Sequence, residues 1–451
     1  MEPFRFHLFV CTQPMPDDAS GCSSCGSLEL LGQLESEVAA RGLSRNVQIT
    51  NCGCLGLCDQ GPIMIVYPEG IWYRRLQPSD IPEIVSRHFV GGSPVERLVW
   101  HDAPAMAAMT LEQQQKSRAA ETARDKAGIL PDHLNEMMRG YMASRCLLTA
   151  LELDLFTAVG QGASAEEVSK RINASARGVV VLLNALVALG LLTKSENKFS
   201  NTAESSRYFA EGSKDNHRNG LLHVANIWHR WSTLTDAILS GSRIPIDRAN
   251  TQDWTRNFIA AMDFNAKARA PLVAKALGTG SLRRVLDLGG GSGVYSIALA
   301  RSFSEVKCEI LDLPEVVPLT SEYIRSVGLE AQITVRTGDM LQGDYGSGYD
   351  LIMLNAICHM FSEEQNRGIF SRACRALAPG GHLAVQDFLL NEDKAGPLHS
   401  ALFSINMFVG TDSGASYSER EFTQWMQDAG FINVHRINLP GPADLIVGQA
   451  K

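Results

Sequence analysis

The segment RRVLDLGGGSGVYSIALARSF, residues 283–303, constrains the fold of this chain more than any other part of its sequence. An apolar run leads into a glycine turn and then into a helical pattern, which is how a strand–turn–helix unit of a parallel α/β sheet begins. The turn contains Gly289, Gly290, Gly291 and Gly293. The pairs Gly289-x-Gly291 and Gly291-x-Gly293 both lack the third glycine of the G-x-G-x-x-G dinucleotide fingerprint. The turn therefore specifies no phosphate cradle, but an adenosyl ligand without phosphates can still lie against its bare backbone.

Three further apolar runs follow, and each predicted strand ends at a polar residue. The segment VKCEILDLPEVV ends a second strand at Asp312, AQITVRTGDML ends a third at Asp339, and YDLIMLNAICHMF ends a fourth near His359. Parallel strands present their carboxyl ends at one edge of a sheet, where Asp312 is well placed to accept hydrogen bonds from ribose hydroxyls. The pattern predicts a Rossmann-like domain that binds an adenosyl cofactor.

These motifs resemble the class I S-adenosylmethionine methyltransferases, and specifically the O-methyltransferase family that carries an N-terminal dimerisation domain. The resemblance covers about residues 130–450, through LDLGGGSG, LDLP, GDM, LNAICHMFSEEQ, LAPGGHLAVQDFLL and NMFVGTDSGASYSEREFTQWMQDAGF. The last segment is most similar to the bacterial branch that acts on carotenoids, bacteriochlorophyll rings and polyketides. The resemblance implies methylation of a hydroxyl, or of an activated carbon, on a small aromatic, polyketide, isoprenoid or tetrapyrrole acceptor.

The same resemblance implies a cofactor site and a general base. His359 occupies the position of the family's base, and Asp387 and Ser416 fall where two glutamates often bracket that base. Met360 replaces the usual Asp, and Asn355 stands where a cofactor-contacting Lys is common. Base catalysis and catalysis mainly by alignment of the acceptor with the sulfonium therefore both stay open. The residues implied to contact the cofactor are Asp287, Gly289, Gly291, Gly293, Asp312, Leu313, Asp339, Met340 and Asn355.

Six of the ten cysteines lie within the first 58 residues. A reducing cytoplasm does not preserve disulfides, so this cluster indicates metal binding or redox chemistry. Three interpretations stay open from spacing: a zinc site, a thioredoxin-type Cys-x-x-Cys pair, and an iron-sulfur cluster held by four thiolates. The six are Cys11, Cys22, Cys25, Cys52, Cys54 and Cys58.

The pattern around these cysteines predicts a small α/β sandwich. FRFHLFVCT alternates as a strand, residues 27–41 form a helical pattern, NVQIT forms a strand, PIMIVYP and GIWYRRL form a hairpin, and PSDIPEIVSRHF forms a closing helix. This order resembles the thioredoxin-like 2Fe-2S ferredoxins over roughly residues 4–104. The resemblance implies that the cluster ligands are Cys11, Cys22, Cys54 and Cys58, with Cys25 and Cys52 extra to the family pattern.

The predicted fold class is α/β, in three domains joined by one linker. A thioredoxin-like ferredoxin domain spans residues 1–104, a helical linker 105–128, a helical winged-helix-like dimerisation domain 129–250, and a Rossmann-like methyltransferase domain 251–451. The linker is rich in Ala, Gln and charge and shows no compact core pattern. The segment ARGVVVLLNALVALG, in the position of a DNA-recognition helix, is mostly apolar, which favours burial in a homodimer over DNA reading.

Composition narrows the partners and leaves the relation between the two halves open. The net charge of -8, with no Lys/Arg run, argues against nucleic acid. No apolar stretch is long enough to cross a bilayer, so we expect a cytoplasmic protein with a small-molecule acceptor. Three roles stay open for the implied 2Fe-2S cluster. It would reduce the acceptor before methylation, it would sense the redox state, or it would only dock a redox partner protein. The non-enzyme alternative is an electron-transfer protein whose methyltransferase-like half only binds the adenosyl ligand.

Overall fold

The structure of this chain is a computed structural model that describes residues 4–13, 22, 25–246, 251–278 and 282–451. The chain divides into two compact units, one ending at Arg139 and the other spanning Gly140–Lys451. Three sheets carry most of the predicted strands, one in the first unit and two in the second. The candidate site residues lie where strands of these sheets end.

A four-stranded sheet forms the centre of the first unit, in the order β2-β1-β3-β4. β1 is parallel to β2 and antiparallel to β3, and β3 and β4 form the predicted hairpin. Phe6, Leu8 and Val10 alternate inward along β1, as a half-buried strand requires, and pack with the apolar stripe of α1. The elements are β1 (Phe6–Cys11), α1 (Ser27–Ala40), β2 (Val47–Cys52), β3 (Met64–Tyr67), β4 (Ile71–Tyr73), α2 (Ile81–Ile84), which continues as a π-helical turn (Val85–Val90), and α3 (Ala103–Lys126).

Helix α3 corresponds to the predicted linker, but its first turns are packed against the cysteine-bearing loop. Met106 and Met109 lie on one side of the helix and contact a small apolar cluster around Trp100. Thr110 approaches Gly56 so closely that a Cβ added there would lie 3.4 Å from the Thr110 Cα. The sequence predicted a helical linker without a compact core pattern; the segment is helical, and its first turns pack against the cysteine-bearing loop.

The second unit begins with helices and a small sheet in the order β5-β7-β6. β6 and β7 form the predicted turn-bounded pair, and α6 starts at a capping box between Ser164 and Glu167. Val179, Leu183 and Leu186 form the buried stripe of α7. The elements are α4 (Asp132–Glu152), which contains the division between the units, α5 (Leu155–Val159), β5 (Ala163–Ser164), α6 (Ala165–Arg171), α7 (Ala176–Ala188), β6 (Leu192–Ser195), β7 (Lys198–Asn201), α8 (Ala203–Phe209), α9 (Arg218–Trp231), α10 (Leu234–Ser240), α11 (Thr251–Lys267) and α12 (Ala270–Leu277).

A seven-stranded sheet follows, in the order β10-β9-β8-β11-β12-β14-β13. The first five strands are parallel, β14 is antiparallel to β12, and β13 is antiparallel to β14. The carboxyl ends of the parallel strands therefore share one edge, as the sequence predicts. The elements are β8 (Arg284–Leu288), α13 (Val294–Ser302), β9 (Lys307–Asp312), α14 (Val317–Ser326), β10 (Ile333–Thr337), β11 (Tyr349–Asn355), α15 (Glu363–Ala376), β12 (Leu377–Asp387), α16 (Leu398–Gly410), α17 (Glu419–Asp428), β13 (Ile432–Ile437) and β14 (Asp444–Gln449).

A helix that crosses a bilayer must be long and apolar along most of its length. No single helix in the described ranges is long and apolar enough to meet that requirement. Helices α6 and α7 meet it as a pair by length and composition only, with a bend of 115° between them.

Candidate active site

The glycine turn between β8 and α13 needs glycine for both conformation and packing. Gly289, Gly291 and Gly293 have φ of 67°, 59° and 79°, a region that side chains with a Cβ rarely adopt. A Cβ at Gly289 would lie 2.7 Å from the Met340 Cε, and one at Gly293 would lie 2.9 Å from the Ile310 Cδ1. The turn therefore leaves backbone without side chains at the carboxyl edge of the sheet.

Asp312, at the end of β9, is bound directly to this turn. The Gly291 N–H donates to its Oδ2 at 2.8 Å, and the Leu313 N–H donates to its Oδ1 at 2.8 Å. Burial raises the pKa of the carboxyl, and the two backbone donors partly offset that rise. Each oxygen keeps a further acceptor position, which suits a ligand with neighbouring hydroxyls.

Asp287 and Asn355 form a buried polar pair at the ends of β8 and β11. Asp287 is fully buried, and the Ser296 Oγ donates to its Oδ2 at 2.7 Å. Burial raises the pKa of Asp287 to about 6. The Asn355 amide lies beside it and lowers that pKa, yet among the described groups neither its nitrogen nor its oxygen has a partner in hydrogen-bond geometry. The pair leaves a buried amide open beside the glycine turn.

Met340 and Asp339 follow β10. The Met340 side chain is buried against Gly289, so the structure brings it to the turn. The Asp339 Oδ1 accepts from the Leu341 N–H at 2.8 Å, which fixes the local loop. Leu313 is 43% exposed, and the contact that joins it to the site is the hydrogen bond from its backbone N–H to Asp312.

His359 and Asp387 form a hydrogen-bonded pair of side chains at this edge of the sheet. His359 lies in a single turn after β11, and its Nδ1 is 2.7 Å from the Oδ1 of Asp387 at the end of β12. The Asp387 carboxylate also accepts the His359 backbone N–H at 3.1 Å and the Phe388 N–H at 2.8 Å. Three donor positions converge on this carboxylate, and a ring whose Nδ1 donates to it presents Nε2 as its acceptor nitrogen.

Ser416 does not hold the imidazole in this way. It is buried, and its Oγ has no hydrogen-bond partner among the described residues. Its backbone N–H donates to the Ser404 Oγ at 3.4 Å. Of the two positions where the family often has glutamates, only Asp387 contacts His359.

An aromatic wall beside His359 was missed by sequence reasoning. The Phe403 ring meets the imidazole edge-on with centroids 4.7 Å apart, and the Phe388 ring lies 4.4 Å from Phe403. Arg269, from the start of α12, lies 5.8 Å above the Phe388 ring. These side chains come from separate segments, so no local pattern signals them.

The first unit brings five of its cysteines together at the ends of β1 and β2. Cys11 and Cys52 are register partners, and the Cys54 and Cys58 sulfurs are 3.6 Å apart. A hydrogen bond between the Cys11 and Cys22 thiols lowers the pKa of Cys11 and raises that of Cys22. As the thiols stand, no three His, Cys, Asp or Glu side chains in the described ranges are arranged to hold a metal ion. Cys25 is exposed.

Comparisons with known proteins define the class of the second unit. An O-methyltransferase dimerisation domain matches residues 135–211, and an O-methyltransferase domain matches residues 246–432. The chain is 31% identical over 330 residues to 3-hydroxy-5-methyl-1-naphthoate 3-O-methyltransferase of Streptomyces sahachiroi, which covers 71% of this chain and 95% of that protein. It is 29% identical over 329 residues to the tetracenomycin polyketide synthesis 8-O-methyl transferase TcmO of Streptomyces glaucescens, covering 71% and 96%.

A solved structure agrees with these sequence matches. Human N-acetylserotonin methyltransferase in complex with SAM superposes with a TM-score of 0.63 at 25% identity, covering 71% of this chain and 97% of that one. The five parallel strands with a glycine turn after β8, together with these matches, identify the second unit as a class I methyltransferase that carries a helical dimerisation domain. The chain belongs to the S-adenosylmethionine-dependent O-methyltransferase family, as its sequence motifs predicted. The alternative of a binding protein without enzyme activity is not favoured.

Proposed function

We propose that this chain methylates a hydroxyl of a polycyclic aromatic acceptor, with His359 as the general base and Asp387 as its orienting partner. The observation that supports this is the 2.7 Å contact between the His359 Nδ1 and the Asp387 Oδ1, which would leave Nε2 to accept a proton from the substrate hydroxyl. S-adenosylmethionine supplies an electrophilic methyl group when bound. His359 takes the hydroxyl proton as the acceptor oxygen bonds to the methyl carbon and the sulfur–carbon bond breaks, which yields a methyl ether and S-adenosylhomocysteine.

The acceptor class is supported by the relatives and by the wall beside the base. Two relatives are a methyltransferase of a hydroxynaphthoate and a methyltransferase of tetracenomycin polyketide synthesis. Phe388 and Phe403 present rings next to His359, and such rings pack well against a flat aromatic acceptor. We therefore propose a hydroxylated aromatic of polyketide type rather than an isoprenoid or a tetrapyrrole.

We propose that the cofactor lies along the glycine turn. Asp312 would accept the ribose hydroxyls, Met340 and Asp339 would flank the adenine, and Asp287 and Asn355 would face the amino-acid part. The unpartnered Asn355 amide beside the turn supports this, because a buried amide without a partner is costly unless a ligand completes it. Gly289, Gly291, Gly293 and Leu313 would contact the cofactor through backbone.

The test is His359→Ala, with His435→Ala as a matched control because His435 is exposed on β13. We expect His359→Ala to lower kcat on hydroxynaphthalene acceptors by about 100-fold or more while S-adenosylhomocysteine binding stays near wild type, since base catalysis contributes roughly 10²–10⁴-fold. The control should keep wild-type kcat. Equal activity of His359→Ala and wild type would show that alignment without a base suffices.

We also propose that residues 1–104 form a thioredoxin-like 2Fe-2S ferredoxin domain, and that residues 129–250 support a homodimer. The sheet order β2-β1-β3-β4 with one antiparallel inner strand supports the fold. The cluster is proposed on the chemistry of four thiols, Cys11, Cys22, Cys54 and Cys58, which lie on neighbouring chain segments. Binding would have to draw these thiols together, because as they stand they are not arranged to hold a metal ion. A Cβ at Gly61 would lie 2.7 Å from the Cys22 Sγ, so this glycine makes room for the sulfur. The bound cluster would supply one-electron chemistry.

Anaerobic purification tests the cluster directly, by visible absorption and by counts of iron, sulfide and zinc. We expect two irons per chain in wild type, a loss of the visible bands in Cys54→Ser, and wild-type spectra in Cys25→Ser and in the second-unit control Cys374→Ser. Zinc in place of iron, or loss of metal in Cys25→Ser, would instead favour a zinc site. Methylation rates of reduced and oxidised protein then show whether the cluster acts on catalysis.

A further inference from the structure

A cationic side chain lies one aromatic ring away from the proposed base. Arg269 precedes α12, and its guanidinium carbon is 5.8 Å above the Phe388 ring. The Phe388 ring centroid is in turn 6.0 Å from that of His359. β14 begins opposite Asp387, so the loop before it also lies at this edge, and a Cβ at Gly441 in that loop would be 3.8 Å from an Arg269 nitrogen. Arg269 therefore belongs to the carboxyl edge of the sheet.

A buried phenol also lies beside this guanidinium. Tyr295, at the start of α13, is buried and donates its hydroxyl to the Gln386 Oε1 at 3.0 Å. Arg269 lies beside the same phenolic oxygen and lowers the pKa of the phenol, against the burial that raises it to about 12. The guanidinium thus sits between a phenol, a phenyl ring and a loop.

Arg269 has no anionic partner in the described part of the chain, whereas comparable arginines do. Arg243 pairs with Asp412 at 2.5 Å, and Arg436 pairs with Asp444 at 2.5 Å. Asp387, a carboxylate at the same edge of the sheet, is already bound by His359 and by backbone N–H groups. A half-buried guanidinium without a counter-ion has lost hydration that an incoming carboxylate replaces with two parallel hydrogen bonds.

We propose that Arg269 binds a carboxylate carried by the acceptor, so that the preferred acceptor is a hydroxylated aromatic acid. This inference rests on the proposed function and narrows it to one substrate class. The methyl donor also carries a carboxylate, and Tyr295 directly follows the glycine turn that would hold that donor. Phe388, over which the guanidinium lies, borders His359 instead, and His359 would face the acceptor. The glycine turn that would hold the donor is contacted by other residues, with Gly291 facing Ile259 and Gly289 facing Met340.

The experiment compares two acceptors that share a ring and a hydroxyl, 3-hydroxy-2-naphthoic acid and 2-naphthol. For Arg269→Gln we expect the KM of the acid to rise about 10- to 100-fold, as loss of a charge-assisted pair predicts, and the KM of the naphthol to change less than about twofold. Arg269→Lys should recover part of the loss. Arg283→Gln is the matched control, because that exposed arginine pairs with Glu305 at 3.2 Å and precedes the opposite end of β8.

Binding of both acceptors and of S-adenosylhomocysteine, measured by calorimetry, gives a result that does not depend on turnover. Weaker S-adenosylhomocysteine binding in Arg269→Gln, with acid binding unchanged, would assign the guanidinium to the donor and overturn the proposal. An equal loss for acid and naphthol would also overturn it, since that indicates structural damage. Arg269-dependent binding of the acid without methylation of either acceptor would support this inference and refute the proposed catalysis.

Discussion

Replacing Asp387 with Asn tests the proposed base by removing one charge and little volume. The carboxylate accepts three donors: the His359 Nδ1–H at 2.7 Å, the His359 backbone N–H at 3.1 Å and the Phe388 N–H at 2.8 Å. An Asn side chain keeps one acceptor oxygen and turns an NH₂ group toward a donor. It therefore loses at least one of these hydrogen bonds as well as the charge.

The magnitude follows from the distance. A carboxylate and an imidazolium 2.7 Å apart attract each other by about 6 kcal/mol at an effective dielectric constant of about 20. In the proposed mechanism the imidazolium forms as the hydroxyl proton moves to His359, so this attraction would lower the barrier to methyl transfer. If the Asn carbonyl keeps roughly half of it, the barrier rises by about 3 kcal/mol, which is about a hundredfold in kcat.

Single-turnover methylation of a hydroxynaphthalene, with S-adenosylhomocysteine affinity and melting temperature measured in parallel, checks this expectation. The loss should appear in kcat, with KM and S-adenosylhomocysteine affinity near wild type. A kcat within threefold of wild type in a folded Asp387→Asn protein would refute the role of the carboxylate. A matched loss in His359→Ala and in the double variant would show that the two side chains act as one unit.

Three further predictions concern backbone, burial and the cysteine loop. Gly414→Ala should lower kcat at least tenfold, because its Cβ would lie 2.3 Å from the His359 carbonyl oxygen; normal turnover would contradict this. Burial raises the pKa of Asp287 to about 6, so its ionisation costs the fold about 3 kcal/mol at neutral pH and stability falls as pH rises from about 4 to 6. Asp287→Asn should flatten that part of the melting-temperature profile, and a difference from wild type that does not vary with pH would contradict the assignment. Gly61→Ala should lower the iron content of purified protein, because its Cβ would meet the Cys22 sulfur at 2.7 Å; a full iron count would contradict this.

Much of the second unit could be predicted because its chemistry is encoded locally. The positive φ of Gly289 and Gly293 is set by their own sequence neighbours, and strand ends are visible where apolar runs stop. Their own strands therefore sufficed to predict that Asp312 and His359 lie at the carboxyl edge of the sheet, where the structure has them. The position of β14 beside β12 was not predicted, because it depends on pairing between strands that are distant in sequence, with Asp387 opposite Asp444.

The rest of the candidate site depends on residues that meet only in the folded protein. Arg269, Tyr295 and Phe388 come from three segments and have no common spacing, so sequence alone could not associate them. The unpartnered state of the Asn355 amide is likewise a property of its surroundings. Helix α3 shows the same limit, since a polar composition concealed the short apolar side that carries Met106.

The packing of α3 against the cysteine-bearing loop determines where the chain can be cut. A fragment ending at Pro104, where composition changes, would strip the cover from Trp100 and Leu57 and expose their apolar surface to water. That surface invites aggregation, and the loop next to it would lose the wall that Thr110 provides. An N-terminal fragment produced for spectroscopy should therefore extend through Lys126, the last residue of α3.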